Sequence, residues 1–420
     1  MYSIKQLKNG LRVLTVPSQG TQAVTVLVFA GAGSRYETRE ERGISHFLEH
    51  MFFKGGKKYT NTKQVSMAID GIGGEFNAFT GKEYAGYYVK AAVEHTELAC
   101  DVLSDMLLHA TFPTEEINKE RGVIMEEMKM YEDTPMYQVG WDFENLMYGD
   151  NSLGWDTIGS KELIMSVTQD MFKAHQEKLY VTDNTIVVMA GNITEEKALE
   201  LGEQYFGELP KGDRQTFEPH NGYGTKQVLL RSKKTEQSHL CIGVPAYPAR
   251  SKHQFALRLL SIILGGNMSS RMFLNVREAK GLCYYIRTGV DEYKDAGELS
   301  TSAGVDKTRL DEAITAIIEQ YKLIAAEGIT ADELKRAKAY VLGHMALEFE
   351  DSEELAHFFG RQSLIYDETW SIEQYKEKYS AVTVQEVNTL AAELFQPEHY
   401  RMVVIGDESD EERLKGLLYN

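Results

Sequence analysis

The chain repeats itself, and that repeat constrains its fold more than any other feature of the sequence. "SVTQDMFKAHQEKLY" (166–180) has a counterpart in "AVTVQEVNTLAAELF" (381–395), an offset of roughly 215 residues. Each continues into a short β run closed by glycine and an amide or acid, "NTIVVMAGN" (184–192) and "YRMVVIGD" (400–407). At nearly the same offset, "TEEINKERGVIMEEM" (114–128) lines up with "ADELKRAKAYVLGHM" (331–345), and "FFKGG" (52–56) can be laid on "IILGG" (262–266). Four ordered pairs at similar spacing make duplication a better account than chance. A chain of 420 residues is also too long for one ordinary core.

Each half then shares one order of elements. Alternating or β-branched runs ("LRVLTV" and "AVTVLVFAG"; later "QVLLRS" and "HLCIGVP") lead into a helix, a Gly-rich turn, further strands, long helices and a final strand. Strands and helices come in blocks instead of strict alternation. That predicts an α+β fold of two homologous domains, each a largely antiparallel sheet packed with helices. The polar stretch "LPKGDRQTFEPHNGYG" (209–224) lies at the midpoint and reads as a linker. The expected division is a first domain over 1–210, a linker over 211–224 and a second domain over 225–420.

Chemistry concentrates in "GISHFLEHMFFKG" (43–55). If 44–54 is a helix bounded by Gly43 and Gly55–Gly56, His46 and His50 are i and i+4 and share a face, about 6 Å apart. Two imidazoles so placed suit one zinc ion at roughly 2 Å each. Glu49 projects near the same face, where it could take a proton from water polarised by the metal. Phe47, Leu48, Met51, Phe52 and Phe53 would bury the rest of the helix, and polar groups in so apolar a segment need partners to offset desolvation. H-x-x-E-H is a zinc-peptidase signature, and chance rarely produces it in a chain of this composition.

A zinc hydrolase needs a third protein ligand and a fourth position open to water. In "NKERGVIMEEM" (118–128), Glu120, Val123, Ile124 and Glu127 follow helical spacing, so Glu120 and Glu127 share one face while Glu126 is turned toward solvent. Composition leaves both Glu120 and Glu127 open as the ligand.

With 76 residues between His50 and Glu127, and with "GGEFNAFTGKEYAGYY" and "ERGVIMEEM" around the motif, the chain resembles the insulinase/pitrilysin superfamily of inverted zinc peptidases. It looks most like the two-domain mitochondrial-processing-peptidase-type branch. The resemblance covers essentially the whole chain and implies that His46, His50 and Glu127 bind one Zn2+ per chain. It makes Glu49 the general base and Glu120 an acidic residue that assists without being a ligand. It also implies peptide substrates bound extended along a sheet edge at "GGEFNAFTGKEY" (73–84), with Asn77 and Ala78 on the strand facing the metal. Without the resemblance, Asn77 reads as an edge or turn residue bonding its own backbone.

In "LNVREAKGLCYYI" (274–286), Arg277 and Tyr284 are seven apart, so a helix-then-loop geometry could aim both into one cavity. By resemblance they support the substrate backbone and the oxyanion at the scissile carbonyl. Four-domain relatives carry that pair in the last domain, opposite the zinc-bearing first. A two-domain chain is therefore expected to form a clamshell homodimer, each metal facing Arg277 and Tyr284 of the partner subunit. In the repeat, Glu127 aligns near His344, Glu120 with Ala337, and the histidine helix with "KHQFALRLLSII", which lacks the motif. The reading is a zinc metalloendopeptidase or oligopeptidase. Its rivals are a non-catalytic partner subunit, which would carry a damaged motif, and a zinc hydrolase of another class.

Charge and cysteine content narrow the rest. Forty-five basic against sixty-three acidic residues give a formal charge of −18, which argues against nucleic acid and anionic membrane as partners. No apolar run is long enough to span a bilayer, and the opening "MYSIKQLKNGLRVLTVP" lacks an apolar signal core. Three scattered cysteines make no disulfide framework. The expected location is the cytoplasm.

Overall fold

The computed structural model of the chain describes residues 2–366 and 368–419. Strands β1 (Ser3–Gln6), β2 (Arg12–Pro17), β3 (Ala23–Ala30), β4 (Glu75–Thr80), β5 (Ala85–Ala92) and β6 (Thr185–Gly191) form one six-stranded sheet, ordered β1-β2-β6-β3-β5-β4. Its neighbours run antiparallel except β2 and β6, which are parallel. Strands β7 (Val228–Ser232), β8 (Gln237–Ala246), β9 (Cys283–Glu292), β10 (Gly297–Asp306) and β11 (Arg401–Gly406) form a five-stranded sheet ordered β7-β11-β8-β10-β9, in which only β7 and β11 are parallel. From β2 onward the second sheet repeats the first strand for strand. The fold is mixed α+β, two sheets packed against helices.

The duplication extends to local detail. Arg12 and Val228 open equivalent strands, as do Thr185 and Arg401, each pair 216 positions apart. The "VT" of both copies is a helix start. The Thr168 side chain accepts the Met171 N–H before the Gln169–Leu179 helix, and Thr383 accepts the Glu386 N–H before Val384–Leu394.

The compact units do not follow the expected division at 1–210 and 225–420 (whose end residues, Met1 and Asn420, lie outside the described residues). One unit comprises 1–128, 155–218 and 344–372; the other comprises 129–154, 219–343 and 373–420. The halves have exchanged helices. The Ser352–Ile365 helix lays Leu355, Ala356 and Phe359 on Leu27, Phe29, Ile186 and Val188 of β3 and β6. In the second unit the Pro135–Tyr148 helix packs Val139, Phe143 and Met147 onto Cys241, Val403 and Ile405 of β8 and β11. With a helix on one face and the Thr96–Leu108 helix against β3 and β5 on the other, β3 and β6 are almost wholly buried. This explains their continuous apolar runs.

The expected linker has no regular secondary structure, and the boundary between the units falls after Glu218. It is nevertheless packed: Phe217 lies under the Arg35 guanidinium at 3.7 Å, and the Tyr223 hydroxyl donates to the carbonyls of Ala246 and Gly297. No helix among the described residues is long and apolar enough to cross a membrane.

Candidate metal centre

The histidine helix runs Ile44–Phe52, two residues shorter than the expected 44–54. Gly43 opens it with φ 100°, and a Cβ there would lie 2.6 Å from the Gly159 Cα, so conformation and space both demand glycine. The buried carboxylate of Glu37 accepts the N–H groups of Gly43 and Ser45 at 2.8 and 2.9 Å, satisfying donors the helix leaves open. Burial pushes the Glu37 carboxyl up to about 7, against the downward pull of those two N–H groups. Phe47, Leu48, Met51 and Phe52 are buried, and the opposite face presents His46, Glu49 and His50, each half-buried.

The third acidic group arrives on the Thr114–Glu132 helix, anchored by buried Ile117, Ile124 and Met128. His46 Nε2 lies 3.7 Å from Glu127 Oε1, His50 Nε2 lies 3.5 Å from Glu127 Oε2, and the two imidazole centroids are 4.8 Å apart. These separations are long for hydrogen bonds. They are close to the ~3.4 Å between ligand atoms that each sit about 2.05 Å from one tetrahedral ion. The three side chains form a metal-competent group whose ligand atoms all lie within 4.8 Å of one another, and two imidazoles with one carboxylate suit zinc.

Glu120 has partners of its own. It is buried, its Oε1 2.8 Å from His50 Nδ1 and its Oε2 2.5 Å from Lys54 Nζ. A carboxylate only accepts, so His50 carries a proton on Nδ1 and faces Glu127 with Nε2. Burial alone would raise the Glu120 carboxyl, but its bonds from His50 and Lys54 hold it below the usual range. Burial likewise pulls His50 down, and the bond and charge of Glu120, with Glu127 and Glu49, raise it overall. His46 is held to about 3, first by burial and then by His50, so its ring is neutral as a ligand must be. Its Nδ1 is buried without a hydrogen-bond partner among the described residues.

Glu49 sits beside this group, and its Oε2 accepts the Thr80 hydroxyl at 2.5 Å. Burial raises its carboxyl, opposed by the Thr80 bond. Thr80 ends β4, the edge strand that also carries Asn77 and Ala78. Asn77 Oδ1 accepts the Ala78 N–H at 2.9 Å, so its side chain bonds its own backbone. Arg277 and Tyr284 belong to the other unit. Arg277 lies in a π-helical turn, Phe273–Glu278, with its guanidinium 4.5 Å from the Phe273 ring. Tyr284 is not in a loop: it is the second residue of edge strand β9 and is 77% exposed.

Sequence reasoning missed Glu37, Lys54 and Thr80. Lys54 was visible as a cation beside the motif, but the sequence does not say that it meets Glu120. Glu37 and Thr80 carry no spacing signal, because tertiary packing alone brings them to the helix.

Comparison with known proteins places the chain in a family. Residues 12–160 match the family model described as insulinase (peptidase family M16), and residues 166–341 match the one described as peptidase M16 inactive domain. The uncharacterized zinc protease YmxG of Bacillus subtilis (strain 168) is 36% identical over 401 residues, covering 95% of this chain and 96% of that one. An uncharacterized zinc protease of Mycobacterium leprae is 33% identical over 413 residues, covering 97% and 92%. The chain therefore belongs to the insulinase family of zinc peptidases, M16. The crystal structure of a protease from Helicobacter pylori shares the fold with a TM-score of 0.88 at 23% identity, covering 97% of this chain and 99% of that one.

Proposed function

We propose that this protein is a zinc-dependent metalloendopeptidase or oligopeptidase acting on peptides or unfolded segments. The observation that supports this most strongly is the convergence of His46 Nε2, His50 Nε2 and the Glu127 carboxylate at 3.5–3.7 Å, with Glu49 alongside. A zinc ion bound there supplies Lewis-acid polarisation of the scissile carbonyl and acidifies the attacking water. Glu49 takes the proton from that water and passes it to the leaving amine. His50 is kept in register by Glu120 and Lys54.

The substrate adds as an extended strand to the free edge of β4, beside Asn77 and Ala78. Arg277 and Tyr284 of the partner subunit close the site and stabilise the developing oxyanion, in a clamshell homodimer that works in the cytoplasm and admits no folded protein. Zinc analysis and a fluorogenic peptide test the reading. One zinc per chain and cleavage abolished in Glu49→Gln with zinc retained are expected. A zinc-loaded wild type that leaves every peptide of a mixed library intact overturns it.

A further inference from the structure

Glu49 has two carboxylate oxygens and needs only one to accept a proton. What the other does is visible. Oε2 accepts the Thr80 hydroxyl at 2.5 Å, a short contact typical of a charge-assisted bond, and Oε1 accepts no hydrogen bond from the described residues. A lone anchor on a half-buried glutamate decides where the remaining oxygen points. Threonine is well suited to anchoring, since its branched Cβ restricts χ1 and the hydroxyl direction follows the backbone of the strand.

That strand is β4. Thr80 is its last residue and pairs with Ala85 of β5 on the inner side, while the outer side of β4 is the sheet edge. The histidine helix packs directly against β4. The edge on which an extended peptide would lie and the anchor of the base thus belong to one six-residue segment.

We propose that Thr80 is a positioning residue for the base: it fixes Glu49 Oε2 from the peptide-binding edge and leaves Oε1 aimed at the attacking water. The inference rests on the peptidase reading above. It adds that substrate seating and base alignment share one strand, because the Thr80 hydroxyl belongs to the edge that would take the peptide.

The test compares zinc-loaded wild type, Thr80→Val and Thr80→Ser as full chains. Valine keeps the shape and removes the donor. The expected result is a kcat roughly 10–100-fold lower in Thr80→Val, part of the roughly 10²–10⁴-fold a general base supplies. KM, zinc content and melting temperature should match wild type, and Thr80→Ser should recover most of the loss. An unchanged kcat in Thr80→Val, or a loss accompanied by lost zinc or a lower melting temperature, overturns the inference. Crystal structures of the variants separate this from the parent reading. If wild type cleaves no peptide, the peptidase reading falls, whereas a Glu49 carboxylate that rotates in Thr80→Val and returns in Thr80→Ser still supports the anchor. A carboxylate unmoved in Thr80→Val overturns it.

Discussion

His50 Nδ1 and Glu120 Oε1 are 2.8 Å apart, a bond made across 70 residues of sequence between two helices. Lys54 occupies the other oxygen of the same carboxylate at 2.5 Å. With both Glu120 oxygens engaged, Glu127 is the acid left to complete the candidate metal group, and Glu120 clamps His50.

Loosening that clamp should weaken metal retention before anything else. Glu120→Gln and Lys54→Met are each expected to raise the zinc dissociation constant roughly 10–100-fold, the usual effect of losing a partner that orients a ligand. Chelator competition measures this directly, and excess zinc should restore most peptide cleavage in Lys54→Met. Unaltered zinc affinity in both variants would contradict the assignment.

The exchanged helices make a prediction about stability. Phe359 is 2% exposed and packs on the six-stranded sheet that the histidine helix also contacts, although it comes from the second half of the chain. Phe359→Ala should cost about 3–5 kcal/mol and speed hydrogen exchange first in β3 and β6. Phe143→Ala should do the reverse, loosening β8 and β11 first. Mass-spectrometric hydrogen exchange distinguishes the two patterns.

One acid-sensitive bond lies far in sequence from the candidate metal centre. Arg271 grips both oxygens of Glu333 at 2.7 and 3.0 Å. Burial would raise the Glu333 carboxyl, but Arg271 and the Thr330 N–H outweigh it and hold it at about 2 instead of 4.5. A depressed carboxyl contributes stability above its unfolded value, and the contribution fades as pH falls from 4.5 through about 2. Denaturant melts should show Glu333→Gln about 1–3 kcal/mol less stable than wild type at pH 6, with the gap closing below pH 3.

Shared sites in the proposed dimer can be tested by complementation. Glu49→Gln chains and Tyr284→Phe chains are each expected to be nearly inactive alone. After co-refolding, the mixed dimer should regain activity through the one site that unites an intact Glu49 with an intact Tyr284. Mixtures no more active than their components would leave each chain working by itself.

The sequence made the motif legible because helical periodicity is local. His46, Glu49 and His50 lie within five positions, and their face follows from 3.6 residues per turn. The two sheets were legible through the repeat, since equivalent strands keep a nearly constant offset. Glu127 was less so: Glu120 has the same periodicity, and only burial with His50 and Lys54 on its two oxygens tells them apart. The helix exchange was not legible at all, because an amphipathic pattern states that a helix face is covered without stating which sheet covers it. Thr80 stayed hidden for a similar reason: nothing on a strand announces the side chain it will meet.

The reciprocal loan of helices also sets a timetable for biogenesis. The sheet against which the histidine helix packs lacks one of its covering layers until the Ser352–Ile365 segment has left the ribosome. Nascent chains truncated between Glu127 and that segment would own all three candidate metal-binding side chains and yet lack a finished scaffold to present them. Under the proposed function, metallation would wait for the closing stage of synthesis, and prematurely terminated products would be inert as proteases.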